Sequence, residues 1–162
     1  MTTLQHHGGW IIFGSFVVAL MLTIIPLPDW LSLARPEWLV MVLIYWCMAL
    51  PERVGVGIGW VAGLMLDVTQ GTLLGQHALG MAVVAFLTLK LHQRIRVFPR
   101  LQQTLTVFML VAIYAILMLW IRGMTGTAPK VWVYLIPTLT TAIMWPWIFM
   151  LMRFFRRRYR VT

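Results

Sequence analysis

The sequence predicts an all-α, polytopic membrane helix bundle of six spans, and three observations predict it. Of 162 residues, 61% are hydrophobic and only 10% charged, against about 25% charged in a soluble domain. So few ionic groups cannot clothe a water-facing surface. The apolar residues also fall in runs near the roughly 20 residues a helix needs to cross a bilayer core. Finally, most Lys and Arg residues lie at the ends of those runs rather than inside them. The expected spans are about 10–28, 37–50, 54–69, 73–90, 101–121 and 131–152, followed by a basic tail at 153–162. No linker, composition shift or low-complexity tract divides the chain, so 1–162 reads as a single integral membrane domain.

The first run has no Lys/Arg-rich approach and no small-residue cleavage motif after it, so it reads as a retained span rather than a signal peptide. The second and third spans are short. Between them stands Pro51-Glu52-Arg53. Threading that tripeptide through hydrocarbon as one long crossing would break a helix and bury two charges, so a turn is expected there. The first span and the last three meet the length requirement comfortably.

With six spans both termini share a side. That side holds Arg53, Lys90, Arg94, Arg96, Arg100, Arg153, Arg156, Arg157, Arg158 and Arg160, and the other holds only Arg35, Arg122 and Lys130. An excess of Lys and Arg marks the cytoplasmic side, so both termini are expected there. Trp10, Trp30, Trp38, Trp132 and Tyr134 fall near span ends, where amphipathic rings favour the interface. Trp60, Trp120, Trp145 and Trp147 lie deeper or at the inner boundary and read as packing.

The third span opens a ladder of small residues. Gly55, Gly59, Gly63, Asp67, Gly71 and Gly75 recur every four positions. Residues four apart share nearly one helical face, but the ladder drifts by about 40° per step because four residues overshoot a 3.6-residue turn. Gly55, Gly59 and Gly63 therefore form a strip on span three, and Gly71 and Gly75 belong to a loop and the start of span four. In lipid, such strips let helix backbones approach closely.

Asp67 is the one acid deep in an apolar region; Asp29, Glu37 and Glu52 sit at span ends. A mid-bilayer Asp costs roughly 2.5–3.5 kcal/mol on insertion scales. Asp67 lies about 21 Å along a helix from Arg53, in the outer part of the membrane, and must face protein or a polar cavity. Two readings are open. The carboxylate accepts hydrogen bonds from Thr69, Gln70 or backbone amides of the following turn. Alternatively it shapes a partner- or ligand-facing site with Gln70, Thr72 and His77. A catalytic role finds no second carboxylate, activated nucleophile or metal set nearby. No cofactor or metal site is expected: His6 and His7 lack further ligands. Cys47 has no disulfide partner.

In the tail, RFFRRRYR at 153–160 places Arg153, Arg156, Arg157 and Arg160 at i, i+3, i+4, i+7, on one helical face, with Arg158 beside it. Such a cluster is attracted to anionic lipid by about 1 kcal/mol per charge; docking of a cytoplasmic partner is the other reading. The loop KLHQRIRVFPR has the same two. Nucleic-acid binding is not expected, since no reading module accompanies the charge.

With these residues in view, the chain resembles the MreD family of rod shape-determining proteins, gammaproteobacterial members above all. The likeness rests on RPEWLVMVLIYWCMALPERVGVGIGWVAGLMLDVTQGTLLG at 35–75 and WPWIFMLMR at 145–153, with Arg35, Pro36, Gly59, Gly63 and Asp67 at the matching positions. The resemblance implies a multi-pass protein of the bacterial inner membrane that acts as a scaffold of the cell-wall elongation machinery and is not an enzyme. It implies direct association with MreC, and direct or indirect association with MreB, RodA and the elongation transpeptidase. It also implies a fold similar to the substrate-binding membrane components of vitamin transporters. The glycine strip and Asp67 would then be a docking surface for a partner's single span. The alternative is a small-molecule-binding membrane component of a transporter, with Asp67 lining an outward pocket. That would need convergent polar groups, and only Ser15, Thr23, Asp67, Thr88, Thr104, Thr106, Thr138, Thr140 and Thr141 lie deep in the spans.

Overall fold

The computed structural model describes residues 8–126 and 130–161. All regular structure among them is helical: α1 (Gly9–Ile24), α2 (Asp29–Ser32), α3 (Trp38–Ala49), α4 (Val56–Gln70), α5 (Gln76–Val97), α6 (Arg100–Met124) and α7 (Trp132–Arg158). The stops follow from local chemistry. Pro26 and Pro28 end α1, because a residue before proline is driven out of the helical region. Pro99 does the same between α5 and α6 and is itself the cap of α6. Pro51-Glu52-Arg53 forms a turn in which the Arg53 and Val54 amides both donate to the Leu50 carbonyl. The sequence reading did not anticipate α2, one turn of helix set between Pro28 and the Arg35-Pro36 pair.

Helices α5, α6 and α7, of 22, 25 and 27 residues, are long and apolar enough to cross a membrane. The apolar helices α1, α3 and α4 are shorter, at 16, 12 and 15 residues. Helix α3 is about 18 Å long at 1.5 Å per residue. It is apolar all round, and every residue from Leu39 to Ala49 is buried. Helix α3 is enclosed by α1, α5 and α7 rather than facing outward. The most extensive helix pairs are α4 with α5 and α6 with α7. The outer surface is studded with large exposed apolar side chains, among them Phe13, Met65, Val68, Leu105, Met109, Ile116, Ile143 and Leu151. Such a continuous apolar exterior suits lipid, not water.

Both described ends of the chain meet at one end of the bundle: a Cβ at Gly8 would lie 2.7 Å from Val161 Cγ2, and one at Gly9 3.0 Å from Arg53 Nη2. We call this the basic end. Helix α7 does not stop at the last expected span but continues through the tail to Arg158, with Pro137 and Pro146 inside it. The helix ends there, and Arg160 adopts φ +46° beyond it. The one-face arrangement of four arginines is therefore cut to Arg153, Arg156 and Arg157.

Candidate functional site

Gly63 sets the position of everything at the opposite end. A Cβ on it would lie 2.3 Å from the Ala78 Cα and 2.5 Å from the Ala78 nitrogen. The backbone of α5 thus rests directly on α4 at this point. Gly59, one turn earlier, is nearly as close: a Cβ there would come 3.1 Å from the Met81 carbonyl oxygen and 3.2 Å from the Ala85 Cβ. Small residues let two backbones meet without hydrophobic driving force from the solvent, and the helix these two glycines meet is α5 of the same chain. Gly55 caps α4 in an extended conformation, and a Cβ on it would meet nothing closer than 3.7 Å.

One turn beyond Gly63, that approach brings the fully buried Asp67 carboxylate to the start of α5. Its Oδ1 accepts from Thr72 Oγ1 at 2.9 Å, from the His77 amide at 3.0 Å and from His77 Nδ1 at 2.7 Å. Its Oδ2 accepts from the Gly75 amide at 2.9 Å and the Ala78 amide at 3.4 Å. The first amides of a helix have no intrahelical acceptor, and the residue just before the helix normally supplies one from its side chain. Here that residue is Gly75, which has no side chain and takes φ +98°. Asp67, eight residues earlier and on another helix, is the cap instead. A negative charge at this helix end also complements the dipole. Gly71, at φ +65°, closes the end of α4; neither Gly71 nor Gly75 has a neighbour within 4 Å of a Cβ position, so their glycines serve the backbone turn.

Thr69, expected near the carboxylate, donates to the Leu66 carbonyl instead. Thr72 and His77 do reach it. Thr72, His77 and Asp67 are not a hydroxyl–imidazole–carboxylate relay, because both Thr72 Oγ1, at 3.3 Å, and Asp67 Oδ1 meet the same ring nitrogen, Nδ1. A relay needs the acid on one nitrogen and the nucleophile on the other. The arrangement holds a turn in place and offers no nucleophile. Among the described residues no group of three His, Cys, Asp or Glu could hold a metal; His6 and His7 lie outside the described residues.

Arg35 ties down the neighbouring connection. Its Nη1 donates to the Thr23 carbonyl and its Nη2, at 2.6 Å, to that of Ile25, so a guanidinium satisfies the unpaired carbonyls at the end of α1. Pro36 follows, its carbonyl accepting from the Trp38 amide, and the Glu37 amide donates to Thr141 Oγ1 at 2.9 Å, joining α3 to α7. Sequence reasoning missed Gly80 on the other side of α5. A Cβ there would lie 2.7 Å from Met118 Cε and 2.9 Å from the Tyr114 ring, so this glycine admits α6. No small residue stands four positions before or after Gly80 to signal it.

At the basic end, Arg96 Nη2 donates to the Ala49 carbonyl at 2.8 Å, closing the end of α3 from α5. Arg153 and Arg156 share a cavity with Arg96. Arg157 and Arg158 lie with Arg153 in an adjoining open groove.

A family model described as rod shape-determining protein MreD matches residues 5–155 of the chain. A rod shape-determining protein MreD from Haemophilus influenzae is 32% identical over 150 residues, which cover 93% of this chain and 93% of that protein. No solved structure matches the chain.

Proposed function

The chain belongs to the MreD family of rod shape-determining proteins, and on that premise we propose that it is a non-enzymatic membrane scaffold of the bacterial cell-wall elongation machinery. Its direct partner on this reading is MreC, with MreB, RodA and the elongation transpeptidase reached directly or through it. The observation that carries the scaffold reading is the use of the motif residues. Arg35, Gly59, Gly63 and Asp67 fix helix ends and helix pairs within the chain, giving a rigid bundle whose remaining exterior is apolar and open to other membrane proteins.

The transporter-component alternative, with Asp67 lining an outward pocket, finds few free polar groups there or along the spans. Asp67 has both oxygens engaged by the turn and α5. Ser15, Thr23, Thr88, Thr106, Thr138, Thr140 and Thr141 each donate to a carbonyl of their own helix. Hydroxyls satisfied in this way suit a polar group in lipid and leave little for a ligand. Depleting the protein in a rod-shaped host is expected to round the cells, with rods restored by this chain. Unchanged rods together with a nutrient requirement would reverse the assignment.

We further propose six spans in the inner membrane with both termini cytoplasmic. The meeting of Gly8 with Val161 supports an even number of crossings, and ten of the thirteen Lys and Arg residues lie towards that end by sequence. A reporter active only outside the cytoplasm, fused after Gly126, is expected to be active; a silent fusion there would refute the orientation.

A further inference from the structure

A cavity of about 350 Å³ opens at the basic end between α3, α5, α6 and α7, lined among others by Tyr45, Arg96, Gln103, Arg153 and Arg156. Its size falls at the low end of the roughly 300–1,000 Å³ of small-molecule sites. Three guanidinium groups from two helices converge on it, and none of the chain's four acids is on its wall. Like charges gathered around one space repel unless an anion sits among them.

Two further features show a built site rather than a chance gathering of surface charge. Arg96 is held in place by its bond to the Ala49 carbonyl, and Gln103 is oriented by Trp145 Nε1, which donates to its Oε1 at 3.3 Å. Tyr45, only 1% exposed, has its hydroxyl beside the Arg156 guanidinium, and its O–H donates to no acceptor among the described residues. A buried hydroxyl without a partner is costly; an acceptor entering the cavity would satisfy it.

We propose that this cavity binds a phosphate group through the forks of Arg96, Arg153 and Arg156, with the Tyr45 hydroxyl as a fourth donor. Guanidinium forks match phosphate oxygens in pairs. The phosphate comes from an anionic lipid headgroup at the membrane edge or from a soluble phosphate ester. The site does not depend on the scaffold reading, and either can fail alone. It differs from the general attraction of a basic tail to lipid, which depends on charge count and is screened by salt, because it depends on the geometry of particular arginines.

That difference defines the test. The full chain, purified in neutral detergent, is titrated with phosphatidylglycerol, with phosphatidylcholine and with glycerol phosphate, and binding is followed by thermal stabilisation and by native mass spectrometry. Phosphatidylglycerol or glycerol phosphate is expected to bind and phosphatidylcholine not to; which of the first two binds identifies the source. The double substitution Arg153→Lys with Arg156→Lys keeps every charge but removes the forks, and should weaken binding at least tenfold. Tyr45→Phe should weaken it about fivefold, and Arg157→Gln with Arg158→Gln should leave it within twofold. Binding of neither phosphate probe would overturn the proposal. So would lysine variants that bind like the parent, or a loss in the Arg157/Arg158 variant as large as in the cavity variants, since either would mean diffuse charge alone. Because the lysine variant could be unstable, its melting without ligand is compared with the parent, and Tyr45→Phe, with unchanged affinity, would refute the site independently.

Discussion

Alanine at Gly63 lowers the melting temperature of the detergent-purified protein by an amount on the order of 5 °C, whereas alanine at Gly57 leaves it unchanged or slightly raised. Both glycines lie on α4, so both replacements gain the same helix propensity, about 1 kcal/mol in favour of alanine. They differ in what a methyl group meets. Nothing lies within 4 Å of a Cβ at Gly57, while at Gly63 the obstacles are the Ala78 Cα and nitrogen at 2.3 and 2.5 Å. Those are backbone atoms inside α5, so no side-chain rotation can relieve the clash. The two helices must separate, and overpacking of this kind costs about 1–3 kcal/mol or more, which for a chain of this size corresponds to several degrees. Gly59 should fall between, because its nearest obstacles at 3.1–3.2 Å require a shift of only a few tenths of an ångström. The order Gly57, Gly59, Gly63 in increasing damage is the signature of the α4–α5 contact; equal melting for Gly57→Ala and Gly63→Ala would show that the two backbones are not in contact. Gly63→Leu, which places a larger side chain against the same backbone atoms, should be more damaging still.

Much of this arrangement is legible in the sequence, and the limits are physical. The helical class follows from a composition only lipid can solvate. The turn at Pro51-Glu52-Arg53 follows from the cost of burying two charges beside a helix breaker. The enclosure of α3 is not legible, because α1 and residues 101–121 of α6 equally lack ionic side chains and yet leave most of their residues exposed or half-buried. What escaped is what depends on a neighbour from elsewhere in the chain. Capping rules examine the residue just before a helix, and there the sequence shows Gly75; the acid that caps α5 is on α4 and arrives only because Gly63 admits the contact. Thr69 is close to Asp67 in sequence but bonds back to its own helix, whereas Ala78, eleven residues on, reaches the carboxylate. The periodicity that set Arg160 on a face with Arg153 assumed that the helix continues, and it ends at Arg158. Nothing in the spacing of Arg96 and Arg153 reveals that they share a cavity, since that depends on how α5 and α7 lie about α3.

Removing the Asp67 carboxylate has the largest effect expected of any single substitution here. Asp67→Ala leaves the Gly75, His77 and Ala78 amides and the Thr72 hydroxyl without their acceptor, in a place where the carboxylate itself is fully buried. An unsatisfied buried donor costs about 1–3 kcal/mol. The losses are not additive, and they are offset in part because a charge no longer has to be held within the membrane. A net loss of several kcal/mol remains, against a typical total stability of about 5–15 kcal/mol, so reduced yield and early melting should follow. Asp67→Asn should be intermediate: it keeps the shape and one acceptor oxygen, but turns an NH₂ group toward amides that also donate. Asp67→Glu keeps the charge yet should not rescue, since the close contact of α4 with α5 leaves no room for another methylene. Amide hydrogen exchange localises the effect, because loss of the cap should deprotect the Gly75, His77 and Ala78 amides while the centre of α3 stays protected. If Asp67→Ala melts like the parent and keeps those amides protected, Asp67 is not the cap of α5. If that stable variant also fails to restore rods in a depleted host, its carboxylate acts on a partner.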